Sequence, residues 1–208
     1  MTDACLRLWM LAQQHFPLDF PTGAHVLEIG CAEDDWQTPM LAQRPDLHIT
    51  GIDWRECDRP GHILRGDVLT ARFPPNSFDA IVGISSIEHI GLGHYNADPI
   101  DPDGDTHVML LACQWLKLGG WIYADVPYDK AGYRVEGTAY RVYDLAAIRS
   151  RLIVPGLCLT THTLQLSEDG SLNYALLLAE RAAPAPAWTG AKPTITPERL
   201  SIWDGYVG

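Results

Sequence analysis

Hydrophobic positions recur along the chain with two different periods. Over residues 3–15, Leu6, Trp9 and Met10 fall about one helical turn apart and predict an opening helix whose apolar face they form. Pro17, Pro21 and Gly23 then break the chain. His25-Val-Leu-Glu-Ile-Gly30 follows, a short apolar run ending at a glycine, and reads as a strand. A weaker helical stretch lies around Thr38–Gln43 and stops near Pro45. His48–Asp53, His62–Arg65, Asp79–Ile84 and Trp121–Val126 predict four more strands. A helix over 106–117, capped by Asp105 or Thr106 and ended by Gly119-Gly120, is expected before the last of these. Another helix is expected near 144–152. Two long β runs, 157–166 and 173–180, are joined by Glu168-Asp-Gly-Ser171, a hairpin turn by composition.

Five short strands alternating with helices imply an α/β fold built on a doubly wound parallel sheet. The terminal hairpin leaves no room for a crossover helix, so its strands must run antiparallel to each other. Three segments follow from this reading. Residues 1–23 are a capping helix and linker, 24–181 the main domain, and 182–208 a Pro/Ala-rich tail.

Composition narrows the function. Of 208 residues, 47% are hydrophobic and 20% charged, enough for a real core and too apolar for wholesale disorder. The formal net charge is −11, and lysine occurs only at 117, 130 and 192. Nucleic acid and anionic membrane are therefore poor partners, since both need clustered cations. No apolar run approaches the ~20 residues of a membrane helix, and the N-terminus lacks the basic start of a signal peptide. Five scattered cysteines without a CxxC pair fit a reducing, cytoplasmic setting and no disulfide scaffold. Asp101-Pro-Asp-Gly-Asp105 is too short for a calcium loop and lacks its closing glutamate, so turns and a helix end are the better reading and no metal is expected.

In open α/β sheets, ligands bind beyond the carboxyl ends of the strands, where strand order reverses. Three features lie at such ends. Glu28-Ile-Gly30-Cys-Ala32 follows the first strand, and a glycine there lets backbone approach a ligand. Asp53 closes the second strand and can accept two hydrogen bonds from a ribose diol. Gly66-Asp67 follows the third, placed to meet an adenine edge. An ordinary turn, a strand-end acid and a turn cap are the plain alternatives for these residues. A nicotinamide enzyme would use the same acid, but the glycine loop lacks the last two positions of G-x-G-x-x-G.

This arrangement resembles class I S-adenosylmethionine-dependent methyltransferases over roughly residues 24–180. Glu28 and Gly30 match the first motif of that family, while Ala32 and Asp34 stand where it has its second and third glycines. Phe78–Ile90 is similar to the family's fourth-strand segment, with its Glu88-His89 pair. Leu116–Ile122 resembles the turn before strand 5. Ser85–Tyr95, Asp98–Asp105 and Arg141-Val-Tyr143 resemble an uncharacterised small-molecule subgroup. The resemblance implies a Rossmann-like sheet of seven strands in the order 3-2-1-4-5-7-6, with strand 7 antiparallel. It implies S-adenosylmethionine as cofactor, held by Glu28, Gly30, Ala32, Asp53, Trp54, Asp67, Val68 and Ser85. His89, with Glu88, becomes the candidate base for a methyl acceptor, against the plain reading of a packed histidine. His94, Tyr128, Arg134, Arg141 and Tyr143 are candidates for the acceptor site, against a loop in which arginines simply pair with acids. No Asn/Asp-Pro-Pro-Tyr or Pro-Cys follows the fourth strand, which favours a small-molecule acceptor over a nucleic acid. The alternative is a non-catalytic binding or scaffold protein on the same fold, since Asp34 puts a charge where the cofactor's methionine end would lie. Whether the protein forms a homodimer stays open.

Overall fold

A computed structural model of the chain describes residues 3–16, 18–32, 37–56, 62–94, 100–165 and 173–185. Its strands alternate with helices in chain order. They are α1 (Asp3–His15), β1 (His25–Ile29), α2 (Gln37–Gln43), β2 (His48–Asp53), β3 (His62–Arg65), β4 (Phe78–Gly83), α3 (Gly104–Trp115), β5 (Leu116–Pro127), β6 (Arg134–Glu136), β7 (Tyr140–Val142), α4 (Leu145–Ala147, continued as a π-helical turn over Ile148–Leu152), β8 (Leu157–Gln165) and β9 (Asn173–Arg181). Seven strands form one sheet in the order β3-β2-β1-β4-β5-β9-β8. The first five are parallel; β9 runs antiparallel between β5 and β8. This is the expected sheet, with β8 and β9 as its sixth and seventh strands.

The apolar runs are continuous because the sheet is buried on both faces. Alternate residues of one strand therefore enter two different cores. Leu27, Ile29, Ile81, Ile122, Ala124, Val126 and Leu177 pack with α3 and the Ile148–Leu152 turn. Val26, Ile49, Ala80, Val82, Tyr123 and Leu176 pack on the opposite side with α1 and the segment after it. α1 turns Trp9 and Ala12 to the sheet, Phe16 just past its end follows the same face, and Met10 is half exposed. The predicted face thus rotates away from Met10, because the spacing 9, 12, 16 keeps three residues over the sheet. Trp9 meets Tyr123 edge-on at 5.8 Å and Phe20 at 6.5 Å. Arg44 fixes the linker that follows, donating to the carbonyls of Phe20 and Pro21 while paired with Asp46.

Other boundaries also moved. α3 begins at Gly104, so Asp105 and Thr106 are its first residues and not its cap. The helix passes straight into β5 at Leu116, and Gly119-Gly120 sits inside that strand, where the register with β4 shifts. Gly119 has φ +79°, and a Cβ on Gly120 would lie 2.8 Å from the Asp79 carbonyl, so a bulge here requires both glycines. Residues 134–142, within the segment expected to carry acceptor-site residues or to be a plain loop, form the two-stranded ribbon β6–β7. The Glu168–Ser171 turn, Asp34 and residues 186–208 lie outside the described residues. No helix among the described residues is long and apolar enough to cross a membrane.

Because Trp9 is nearly fully buried between α1 and Tyr123, Trp9→Ala is expected to cost about 3–5 kcal/mol of stability. Urea unfolding followed by far-UV circular dichroism measures this; a loss below about 1 kcal/mol would show that α1 does not hold the sheet in solution.

Candidate functional site

The sheet reverses direction between β1 and β4, since β2 and β3 extend one way from β1 while β4 and β5 extend the other. A crevice opens beyond the strand ends at such a point. Here it is a cleft of about 660 Å³, counting its open mouth, lined on one side by Ile29, Gly30, Asp53 and Trp54 and on the other by Ile84, Ser85, Ser86 and His89. Arg55, Gly66, Asp67 and Val68 close one end.

The first wall is built by glycine geometry. Gly30 has φ +83°, and a Cβ there would stand 2.5 Å from Ser86 Cβ, so any side chain would collide with the opposite wall. Its N–H donates to the Ile52 carbonyl, which anchors the β1 end to β2. Asp53 ends β2 and is buried. Its Oδ2 accepts from the Ala32 N–H at 2.9 Å, and its Oδ1 from the Arg55 N–H at 2.8 Å. The Arg55 guanidinium adds Nε to Oδ1 and Nη2 to Oδ2, each at 3.1 Å. Asp67 uses Oδ1 to cap the turn through the Leu69 N–H, while the residue itself lines the cleft. Glu28 is buried in β1, one residue before the lining begins.

The second wall carries strain. Ser85 has φ +44°, unusual for a residue with a Cβ. The buried Asp125 of β5 holds it there, accepting from the Ser85 N–H at 2.9 Å through Oδ1 and from the Tyr123 hydroxyl at 3.0 Å through Oδ2. The Ser85 hydroxyl donates to Glu88 Oε1 at 3.1 Å. Ile87–His89 then forms a single 3₁₀ turn. Glu88 is 1% exposed, and Oε2 has no hydrogen bond among the described residues. Burial pushes its carboxyl up to about 7, against the opposing hydrogen bonds from its own backbone and Ser85 and the positive charge of Arg141. Ser86 Oγ is likewise buried without a hydrogen bond among the described residues.

His89 is oriented by the ribbon. Its Nδ1 lies 2.5 Å from the Ala139 carbonyl, which only an N–H can satisfy, so in the neutral ring the lone pair belongs to Nε2. Nε2 is 3.7 Å from Glu88 Oε1. His94 stacks against the imidazole at 5.9 Å, and Tyr140 meets it edge-on at 6.3 Å.

The remaining expected acceptor residues do not gather at the cleft. Arg141 is wholly buried, and its Nη atoms donate to the carbonyls of Glu88, Ile90, Asp101 and Pro102. Tyr143 is also buried, donates its hydroxyl to Asp105, and has its ionisation pushed well up by that burial. Arg151 completes this network on Asp105 at 2.6 and 2.8 Å. These residues stand behind the wall and fix the turn that carries His89. Arg134 is on the surface, paired with Asp129 and Glu136. Tyr128 is half-buried against the core beside Tyr143. Arg55 and Ser86 were missed by the sequence reading. An arginine two residues after a strand-end acid was the available signal for Arg55; Ser86 had none. Among the described residues no three His, Cys, Asp or Glu side chains gather as a metal site would require.

The family model described as Caenorhabditis protein of unknown function, DUF268, matches residues 70–177, just over half of the chain, and the chain belongs to that family. The match contains β4, the His89 turn, α3, β5 and the β6–β7 ribbon. No curated protein matches the sequence. In structure the chain is similar to Burkholderia thailandensis 1,6-didemethyltoxoflavin-N1-methyltransferase, solved with bound 1,6-didemethyltoxoflavin and S-adenosylhomocysteine. The TM-score is 0.66 at 15% identity, over 88% of this chain and 80% of that one. It is also similar to the [4+2]-cyclase SpnF, with TM-score 0.61 at 16% identity over 86% and 80% of the two chains. An S-adenosylmethionine-dependent methyltransferase from Mesorhizobium loti gives 0.60 at 13% identity, over 86% and 99%. At these identities the likeness establishes the fold, which is that of the class I methyltransferases.

Glu88 makes stability depend on pH in an unusual direction. Its carboxyl titrates near 7 when folded and near the ordinary value when unfolded, so the unfolded chain loses that proton first as pH rises. This contribution to stability is therefore full below about pH 4.5 and falls as pH climbs to about 7, by on the order of 2–3 kcal/mol. Glu88→Gln is expected to remove that slope and to melt higher than wild type at pH 8. Melting temperatures between pH 5 and 8.5 test this; parallel curves for the two proteins would contradict it.

Proposed function

We propose that this member of the DUF268 family is an S-adenosylmethionine-dependent methyltransferase acting on a small-molecule acceptor. The observation that carries the reading is the cleft at the β1/β4 reversal. There a side-chain-free Gly30, the strand-end acids Asp53 and Asp67, and the strained Ser85 converge with His89. The residues present fit the cofactor. Gly30, with φ +83° and no side chain, lets the β1 end turn against Ser86, and Ser86 Oγ there is a buried polar atom without a hydrogen bond among the described residues.

In this reading Asp53 receives the ribose hydroxyls, Asp67 meets the adenine edge, and Trp54 and Val68 supply apolar contact. Glu28 and Ala32 shape the loop, and Ser85 borders the reacting end. When bound, the cofactor supplies a methyl group made electrophilic by its sulfonium. The chain's own contribution is alignment and proton removal. His89 Nε2, its lone pair set by the Nδ1–H bond to Ala139, takes the proton that the acceptor's nucleophilic atom loses. Above about pH 7, where Glu88 gives up its proton, its carboxylate stabilises the resulting imidazolium from 3.7 Å. The acceptor enters beside His94, whose ring stacks on His89. Arg141 and Tyr143 position the turn from behind; Tyr128 and Arg134 lie farther out.

A second reading, a non-catalytic binding protein on this fold, is favoured by one observation: the ribose acid is already engaged by Arg55. Isothermal titration with S-adenosylmethionine and S-adenosylhomocysteine separates the two. Binding is expected, and Asp53→Ala should weaken it by roughly ten- to a hundredfold, the worth of charge-assisted hydrogen bonds. No heat with folded wild-type protein would refute the cofactor role. Once an acceptor is found, His89→Ala should lower kcat by about 10²–10⁴ while leaving S-adenosylhomocysteine affinity nearly unchanged. Unaltered turnover would make His89 a packing residue only.

A further inference from the structure

We infer that Arg55 is an affinity-setting latch, a built-in competitor that must leave Asp53 before a ribose diol can bind there. The inference rests on the cofactor reading above and concerns the same carboxylate. An ionised carboxylate has about four lone-pair directions. On Asp53 all four are used: Ala32 N–H and Arg55 Nη2 on Oδ2, Arg55 N–H and Arg55 Nε on Oδ1. A diol donating two hydrogen bonds finds no acceptor site left.

The four donors differ in what they can do. Ala32 N–H belongs to the loop after Gly30, whose own N–H is tied to Ile52. Arg55 N–H is part of the tight turn that leaves β2. Moving either would deform the strand ends. The guanidinium sits on a rotatable side chain, bonds both oxygens at once, and is 27% exposed, so it has a path into solvent. It is the one pair of donors that a ligand can replace two for two. Arg55 also lines the cleft, so its departure widens the same end. The ion pair is then worth something only in the ligand-free protein, and it subtracts from binding.

The two partners of this pair should respond with opposite signs. Where Asp53→Ala weakens S-adenosylhomocysteine, Arg55→Ala and Arg55→Gln should tighten it by roughly three- to tenfold, the range for a partly exposed ion pair. The advantage of the variants over wild type should shrink as KCl is raised from 50 to 500 mM, because salt screens the pair that only wild type has to break. Titration calorimetry on the full chain reads both quantities, and the salt series on wild type stands even if one substitution fails to fold. Equal or weaker affinity in the arginine variants, or a wild-type affinity that falls with salt in step with theirs, would overturn the latch and leave the cofactor reading standing. Absence of heat in wild type and both variants would overturn the two together. Heat in the variants alone would support the latch while refuting the cofactor role of the wild-type chain, since the pair would then keep the ligand out.

Discussion

Parallel pairing of β1 with both β2 and β4 is the constraint on which the rest depends. Each parallel neighbour demands a crossover, and crossovers to the two sides of β1 leave by opposite faces of the sheet. Their departing chains separate beyond the strand ends and open the cleft between them. The same pairing buries the sheet on both faces, so Val26 and Leu27 feed different cores one residue apart. A rigid, doubly covered sheet allows loop residues to be held in costly conformations. Ser85 at φ +44° is such a residue, and it is held by Asp125 from the neighbouring strand.

The second level of support is polar and buried. Arg141 places its charge among four carbonyls of the segment from Glu88 to Pro102 and lies near Asp105, which Arg151 and Tyr143 complete. A buried guanidinium is a poor source of net stability, because its desolvation offsets most of what its partners return. Its value here is geometric. Those carbonyls lie outside strands, that of Asp101 also accepting from the first N–H of α3, and a single planar group with five donors gathers them. The turn carrying His89 is thereby fixed to the start of α3 and to the ribbon that supplies the Ala139 carbonyl.

Much of this was legible in the sequence. The strand runs and the cleft residues Gly30, Asp53 and Asp67 follow from apolar runs ended by glycine or acid, while the strand order, Ser85 and His89 came from the resemblance to class I methyltransferases. What escaped reading had physical reasons. β6 and β7 are three residues each, too short for a period to show, and are stabilised by neighbours more than by their own pattern. Asp105 looks like a helix cap by type, yet two arginines and a tyrosine surround its oxygens, and the helix starts two residues earlier than expected, at Gly104. Arg141 reads as an acceptor-site residue, or a loop arginine paired with acids, until the carbonyls it serves are seen to converge. Met10 and Trp9 differ by one position on the helix, and only the sheet decides which is inside.

The acidity of the chain enters the cleft at two lining residues, Asp53 and Asp67. Four buried acids in and behind it are balanced in different ways: Asp53 by a guanidinium, Asp125 by a hydroxyl and a strained N–H, Asp105 by arginine, Glu88 by keeping its proton up to about pH 7. These solutions are not equivalent in function. Asp125 and Asp105 are satisfied by groups that nothing in the cleft can replace, so they serve the scaffold. Asp53 and Glu88 are balanced by a swinging side chain and by a proton, both of which can leave. Of the two, Asp53 lines the cleft itself, and Glu88 lies buried just behind it beside His89.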